Sequence, residues 1–419
     1  MVKADSDKYK NMLKEVRKLC EKLNDIIDDD IVIRILTKCQ ESVIVIGESL
    51  EKIERANEKE VLKKLQTVNK LEQLCELLYQ YSQKMERNIR KEIIRIIDNI
   101  ICDIDTIPRT YRVTFLPYKA AMWDSLESIW REFAASDECE TSVVPIPYFE
   151  ANRKTNQWDT CYEGNKYPDY VPVVNFQDYL LGQKRPDLVF VHNPFDQFNN
   201  VTTVHPAYYS AELKKSCGKL VYVPYYVNPG FISDDYNELP LLYRSDYIIV
   251  QSEKAKETCK DFPYYNRVLA LGSPKFDKVV NLYNEKVAPP EEWNINLEGK
   301  KCILLNTTLT DFLESGELLM NKLYKMFEIA LDRNDIVIVW RPHPLLKGTV
   351  KAMRPQYIEK YDELVQYFID NKVGVYDTTA DVSRAVAVSD AYVGSHYSSI
   401  IALFEVINKP IFRIDSKKS

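Results

Sequence analysis

Glycine and proline are almost missing from the first quarter of the chain. Between residues 1 and 105 there is one glycine, Gly47, and no proline. That excludes a turn-rich β architecture for this region and favours long uninterrupted helices. Histidine is scarce throughout, with four in 419 residues. The nine cysteines never fall in a CxxC spacing, so no structural zinc site is expected. No apolar run approaches the roughly 20 residues needed to span a bilayer, which leaves only peripheral membrane contact. There is no basic surplus either: the formal net charge of −6 argues against a general nucleic-acid binder. The opening MVKADSDKYK shows no signal-peptide pattern, and a reduced, cytoplasmic protein is the expectation.

What the first 107 residues do contain is helical period. Leu13, Val16, Leu19, Leu23, Ile26 and Ile27 form one stripe. Val61, Leu65, Val68, Leu71, Leu74 and Leu78 form another, and Ile89, Ile93, Ile96, Ile97 and Ile100 a third. Three or four long amphipathic helices follow, with acidic Asp28 to Asp30 suited to a helix start. A bundle serving homo-oligomerisation or partner binding is expected over 1–107. A membrane-surface helix at RNIRKEIIRIIDNII is the weaker option, because its basic residues are mixed with acids.

From TYRVTFLPYK onward, apolar strands alternate with helices and polar or proline-rich loops. RVTFLP, TSVVPIP, PDLVFVH, KLVYVPY and DYIIVQS form one series. A second starts near YYNRVLALGSPKFD and continues through CILLNTT, IVIVWRP, GVYDTT and DAYVGSH. Such strands are typical of parallel sheets buried on both faces. The spacing predicts an α/β protein with two Rossmann-type lobes, 108–262 and 263–419, joined near Phe262. The cleft outside the strands' carboxyl ends is the default ligand site.

Four strand ends carry the candidate chemistry. In RPHP, His343 sits between prolines two residues after Arg341; a cation beside a titratable ring suits a phosphate-bearing substrate. In DAYVGSHYSSIIALFEV, Gly394 permits a tight exit. Ser395, His396, Ser398 and Ser399 then precede a helix whose free N–H groups favour an anion. LGSPKFD adds Gly272, Lys275 and Asp277, and LLNTTLTD adds Asn306, Thr307 and Thr308.

Together these segments resemble the CDP-glycerol glycerophosphotransferases of teichoic acid synthesis, which have a GT-B fold. Gly272, Pro274, Lys275 and Asp277 match that family's Gly-x-Pro-Arg-x-Asp turn, with lysine for arginine. His343 matches its strand-end histidine. Tyr397, Ser398, Ser399 and Lys409-Pro410 match its Asp-Tyr-Ser-Ser helix start and Lys-Pro, with His396 replacing the aspartate. The family's first-lobe Trp-His-Gly-Thr has no equivalent; the corresponding LVYVPYYVNPG, Leu220 to Gly230, lacks histidine, leaving His192 and His205 as first-lobe candidates. The resemblance implies transfer of glycerol phosphate from CDP-glycerol to a hydroxyl of a cell-wall or surface glycopolymer, polymeric or lipid-linked, with release of CMP at the inner face of the membrane. It implies Arg341, His343, Ser398 and Ser399 around the diphosphate and His192 or His205 as base. Lys119, Trp123 and Asp124 of FLPYKAAMWDS are read as the acceptor side. No metal and no cofactor beyond the donor are expected. The alternatives are a GT-B glycosyltransferase using a nucleotide sugar, and a non-catalytic nucleotide-binding scaffold.

Overall fold

The structure is a computed structural model that describes residues 3–23, 28–51, 58–107, 110–152, 155–228, 234–379 and 381–414. Ile26, Ile27 and Gly230, singled out in the sequence, lie outside the described residues. Four long helices fill the first region: α1 Lys3–Lys22, α2 Asp29–Glu51, α3 Glu58–Lys84 and α4 Arg87–Thr106. Each packs on the next and α1 closes on α4, giving a four-helix bundle. The core is the periodic stripe itself: Leu13 and Val16 from α1, Val43 and Ile46 from α2, Leu74 and Leu78 from α3, Ile93 and Ile97 from α4. Burying each such side chain contributes roughly 1.5–3 kcal/mol. Asp28 caps α2, its Oδ1 accepting the Asp30 and Ile31 N–H groups at 2.9 and 3.3 Å. The membrane option for α4 is overturned, because Ile93, Ile96, Ile97, Ile100 and Ile104 all face the bundle interior. Val61 and Leu65, by contrast, remain exposed.

Beyond the bundle come fourteen strands among the described residues. β1 Tyr111–Leu116, β2 Cys139–Val143, β5 Leu188–Val191, β7 Lys219–Tyr222, β8 Tyr247–Val250 and β9 Val268–Ala270 form one sheet in the order β2-β1-β5-β7-β8-β9. Every pairing in it is parallel. β10 Lys301–Thr307, β11 Ile336–Pro342, β12 Gly374–Tyr376, β13 Ala391–Ser395 and β14 Ile411–Ile414 form a second parallel sheet, β12-β11-β10-β13-β14. The fold is therefore α/β, a pair of Rossmann-type parallel-sheet lobes behind an all-helical region.

Two features differ from the sequence reading. β3 Tyr148–Asn152, β4 Gln157–Cys161 and β6 Thr202–Val204 build a small antiparallel sheet, β4-β3-β6, inside the first lobe. β9, grouped from the sequence with the second lobe, pairs with β8 through Ile248 and Val268, so the first sheet extends to Ala270 rather than ending near Phe262. The chain then turns at Gly272, whose φ of +100° suits glycine. Helix Pro274–Asn284 begins with proline in its first turn.

Strand order reverses once in each sheet, between β1 and β5 and between β10 and β13. Crevices outside the carboxyl ends of strands at such reversals are where α/β proteins bind ligands. The first reversal carries His192 just past β5, and the second carries Thr307 and Ser395.

A candidate inter-lobe active site

At the second reversal, several residues picked from the sequence do come together. The Asn306 amide donates to the Arg341 carbonyl at 2.9 Å, and the His343 N–H donates to the Thr307 carbonyl at 2.9 Å. Ser395 is buried, its hydroxyl hydrogen-bonded to Thr308 Oγ1 at 3.2 Å and accepting from the Tyr397 N–H at 3.1 Å. Gly394 is there because β13 approaches β10 so closely: a Cβ would stand 2.3 Å from the Asn306 carbonyl oxygen. Thr308 also opens helix Leu309–Leu331, whose T-x-x-D start is a capping-box signal: Asp311 receives the threonine hydroxyl at 2.7 Å.

The imidazole of His343 is half-buried. Its Nδ1 accepts the Leu345 N–H at 3.2 Å, so in the neutral ring the proton sits on Nε2, which has no partner among the described residues. Burial lowers its pKa, favouring that neutral, donor-ready form. His396 and Tyr397 are exposed with their rings 3.7 Å apart. Ser398 is buried and accepts the Ile400 N–H at 3.2 Å at the start of the short helix Ile400–Val406; Ser399, the N-cap residue, is exposed and makes no side-chain cap bond.

Arg341 does not join them. Its guanidinium is buried in an ion pair with Asp377 and donates to the Thr379 carbonyl at 2.7 Å. Asp377 is filled from its other side by Trp293 Nε1 at 3.0 Å and the Thr379 N–H at 3.0 Å. The arginine is thus a structural tie between β11 and the segment after β12, not a free phosphate ligand. Lys409 of the Lys-Pro pair is also structural. Its ammonium donates to the carbonyls of Ala387 and Ser389 at 2.7 and 2.5 Å, closing the end of helix Val382–Val388.

In the first lobe, His192 is sealed. Nε2 accepts the Tyr118 N–H at 3.1 Å, so Nδ1 carries the proton and donates to Ser125 Oγ at 2.9 Å; that hydroxyl donates in turn to the Met122 carbonyl at 2.7 Å. Full burial pushes the imidazole down to about 3, and the nearby Lys275 charge adds to it. A ring with both nitrogens spent and no solvent contact is not an acceptor base. It pins the Tyr118–Ser125 turn to the end of β5. His205 is half-buried, its Nδ1 accepting the Ala207 N–H at 3.3 Å as the cap of a short turn, and its ring lies against Phe149. Nothing brings it to His343.

The pinned turn delivers Trp123 and Asp124 to the cleft between lobes. That cleft holds about 1520 Å³ of open space, walled by Trp123, Glu127 and Tyr170 on one side and Pro274, Asn281 and Glu285 on the other. At its edge Lys275 holds both oxygens of Asp124, at 2.7 and 2.8 Å. Ser128 adds a second link by donating to Asp277 at 2.6 Å. Lys275 and Asp124, assigned from the sequence to donor and acceptor sides, are partners here. Lys119 instead pairs with Glu150 at 3.2 Å, away from the cleft lining. Among the described residues no three His, Cys, Asp or Glu side chains converge as a metal site, and no helix is long and apolar enough to cross a membrane.

Residues 227–416 match the family model described as CDP-Glycerol:Poly(glycerophosphate) glycerophosphotransferase. That is a little under half of the chain, and it contains every motif on which the resemblance was drawn. No curated protein matches the chain. Among solved structures, the wall teichoic acid polymerase TagF aligns at 17% identity and a TM-score of 0.43, covering 86% of this chain and 79% of its own. UDP-GlcNAc 2-epimerase from Methanocaldococcus jannaschii aligns at 16% and 0.44, covering 72% and 82%. The enzyme from Neisseria meningitidis, bound to UDP-GlcNAc, aligns at 13% and 0.44, covering 73% and 84%.

Proposed function

We propose that the protein is a transferase that moves glycerol phosphate from CDP-glycerol to a hydroxyl of a cell-wall or surface glycopolymer, releasing CMP. The reading is carried by the second-lobe reversal, where the ends of β10, β11 and β13 gather Thr308, Ser395 and the unpartnered Nε2 of His343. The family match over the same segment supports it. An acceptor oxygen attacks the β-phosphorus, a P–O bond to it forms, the bond to CMP breaks, and the acceptor proton leaves. Such transfers depend mainly on positioning and charge stabilisation. In this reading His343 donates from Nε2 to a diphosphate oxygen. Lys275 turns from Asp124 to the donor phosphate, and the carboxylate it releases faces the acceptor hydroxyl.

The test is CMP release from CDP-glycerol with a polyol-phosphate acceptor, set against UDP or GDP release from nucleotide sugars. CMP release that falls by roughly 10²–10⁴ in His343→Ala supports the reading. Turnover of a nucleotide sugar alone makes it a glycosyltransferase. His192 is sealed, and His205, whose Nε2 has no partner among the described residues, does not line the inter-lobe cleft, which favours a second reading as a nucleotide-binding scaffold. Tight CMP binding with no turnover of any donor would establish that one.

A further inference from the structure

One face of the bundle is built at odds with its own stability. Gly47 is the nineteenth residue of the 23-residue helix α2, with nothing within 4 Å of where a Cβ would stand. A helical glycine costs roughly 1 kcal/mol against alanine. Here neither a left-handed φ nor an internal close approach requires it.

Gly47 forms part of the floor of a groove between α2 and α3 with about 910 Å³ of open space. Ile44, Gly47 and Glu51 follow one another at i, i+3 and i+7 on α2. Val68, Glu72, Cys75 and Tyr79 line one face of α3 at i, i+4, i+7 and i+11. Ile44 and Tyr79 are half exposed, and Leu65, one turn before Val68 on the same helical face, is 54% exposed. The rim carries Glu48, Glu51, Glu72 and Glu76, and among the described residues no lysine or arginine lines the groove.

We propose that this groove docks a basic amphipathic helix of a partner protein. The apolar floor receives the partner's i, i+3 and i+7 side chains, the missing Cβ at Gly47 lets the two backbones approach, and the glutamates meet flanking lysines or arginines. An anionic membrane is disfavoured by the same glutamates. A second copy joined groove to groove would bring two acidic rims together. The chain's own α4, whose first half carries Arg87, Arg90, Lys91 and Arg95, has its apolar stripe committed to the bundle core. The inference stands apart from the transferase reading.

The probe is a fluorescein-labelled 18-residue helix of leucine and lysine in amphipathic order, titrated by anisotropy against the full-length protein. Saturable binding is expected, at least tenfold weaker in Gly47→Leu and in Glu72→Lys, with no loss of thermal midpoint in Gly47→Leu. The peptide with glutamate in place of lysine should not bind. Ile44→Gln, which keeps the glycine, should weaken binding as well. Failure of the wild type to bind, or equal binding by all variants, overturns the proposal. So does a wild-type dimer that Gly47→Leu dissociates in sedimentation, or binding to phosphatidylglycerol vesicles that Gly47→Leu abolishes.

Discussion

The ammonium of Lys275 holds both oxygens of Asp124 across the lobe boundary, at 2.7 and 2.8 Å, with both side chains largely buried. Removing one member of such a pair leaves an uncompensated charge, a loss of about 3–5 kcal/mol. Lys275→Ala and Asp124→Leu are each expected to lower the urea midpoint accordingly. The double variant Lys275→Met with Asp124→Leu should recover most of it. Denaturation of the four proteins, analysed as a double-mutant cycle, checks this. Additive losses would show that the contact does not couple the lobes.

Acid should destabilise the first lobe through His192. Its imidazole protonates near 6.5 when unfolded and only at about 3 when folded. Between those values the unfolded state binds more protons, so stability falls as pH drops from 6.5 toward 3 and this contribution is complete above 6.5. Thermal midpoints from pH 7 to pH 4 should decline more steeply in the wild type than in His192→Gln. Parallel profiles would remove the histidine from the account.

Arg341→Ala should behave as a folding variant. It strands the buried Asp377 carboxylate, a cost of about 3–5 kcal/mol. Folded protein that remains is expected to bind CMP with unchanged affinity in calorimetry. A large loss of affinity at undiminished stability would return the guanidinium to the ligand.

Gly394→Ala places a methyl group 2.3 Å from the Asn306 carbonyl. Relief requires β10 and β13 to part, an overpacking cost of about 1–3 kcal/mol. Because Ser395 and Thr308 meet at that seam, CMP affinity should fall together with stability. Affinity preserved at lowered stability would separate the seam from the ligand site.

The bundle was legible because its residues repeat a local period, and the parallel lobes because their strands are apolar on both faces. β4 was not, since its Gln157–Cys161 pattern is polar and mostly exposed. β9 was credited to the wrong series because sheet membership is decided by its pairing with β8, not by its neighbours in sequence. Strand ends carrying polar residues could be found, but not which way each side chain leaves. Arg341 turns to Asp377, 36 residues ahead, while His343, two positions on, keeps a free nitrogen. The DTT following β12, Asp377 to Thr379, was the available signal for that partner. The Lys275–Asp124 contact spans 151 residues and left no trace in either segment alone.

Gly272 and Lys275 lie three residues apart, so the turn by which the chain leaves the first sheet and the lysine that reaches back to it share one short stretch. So short a tether keeps the ammonium at a high effective concentration beside its carboxylate. Residues inserted between the two would dilute that encounter without altering either charged group.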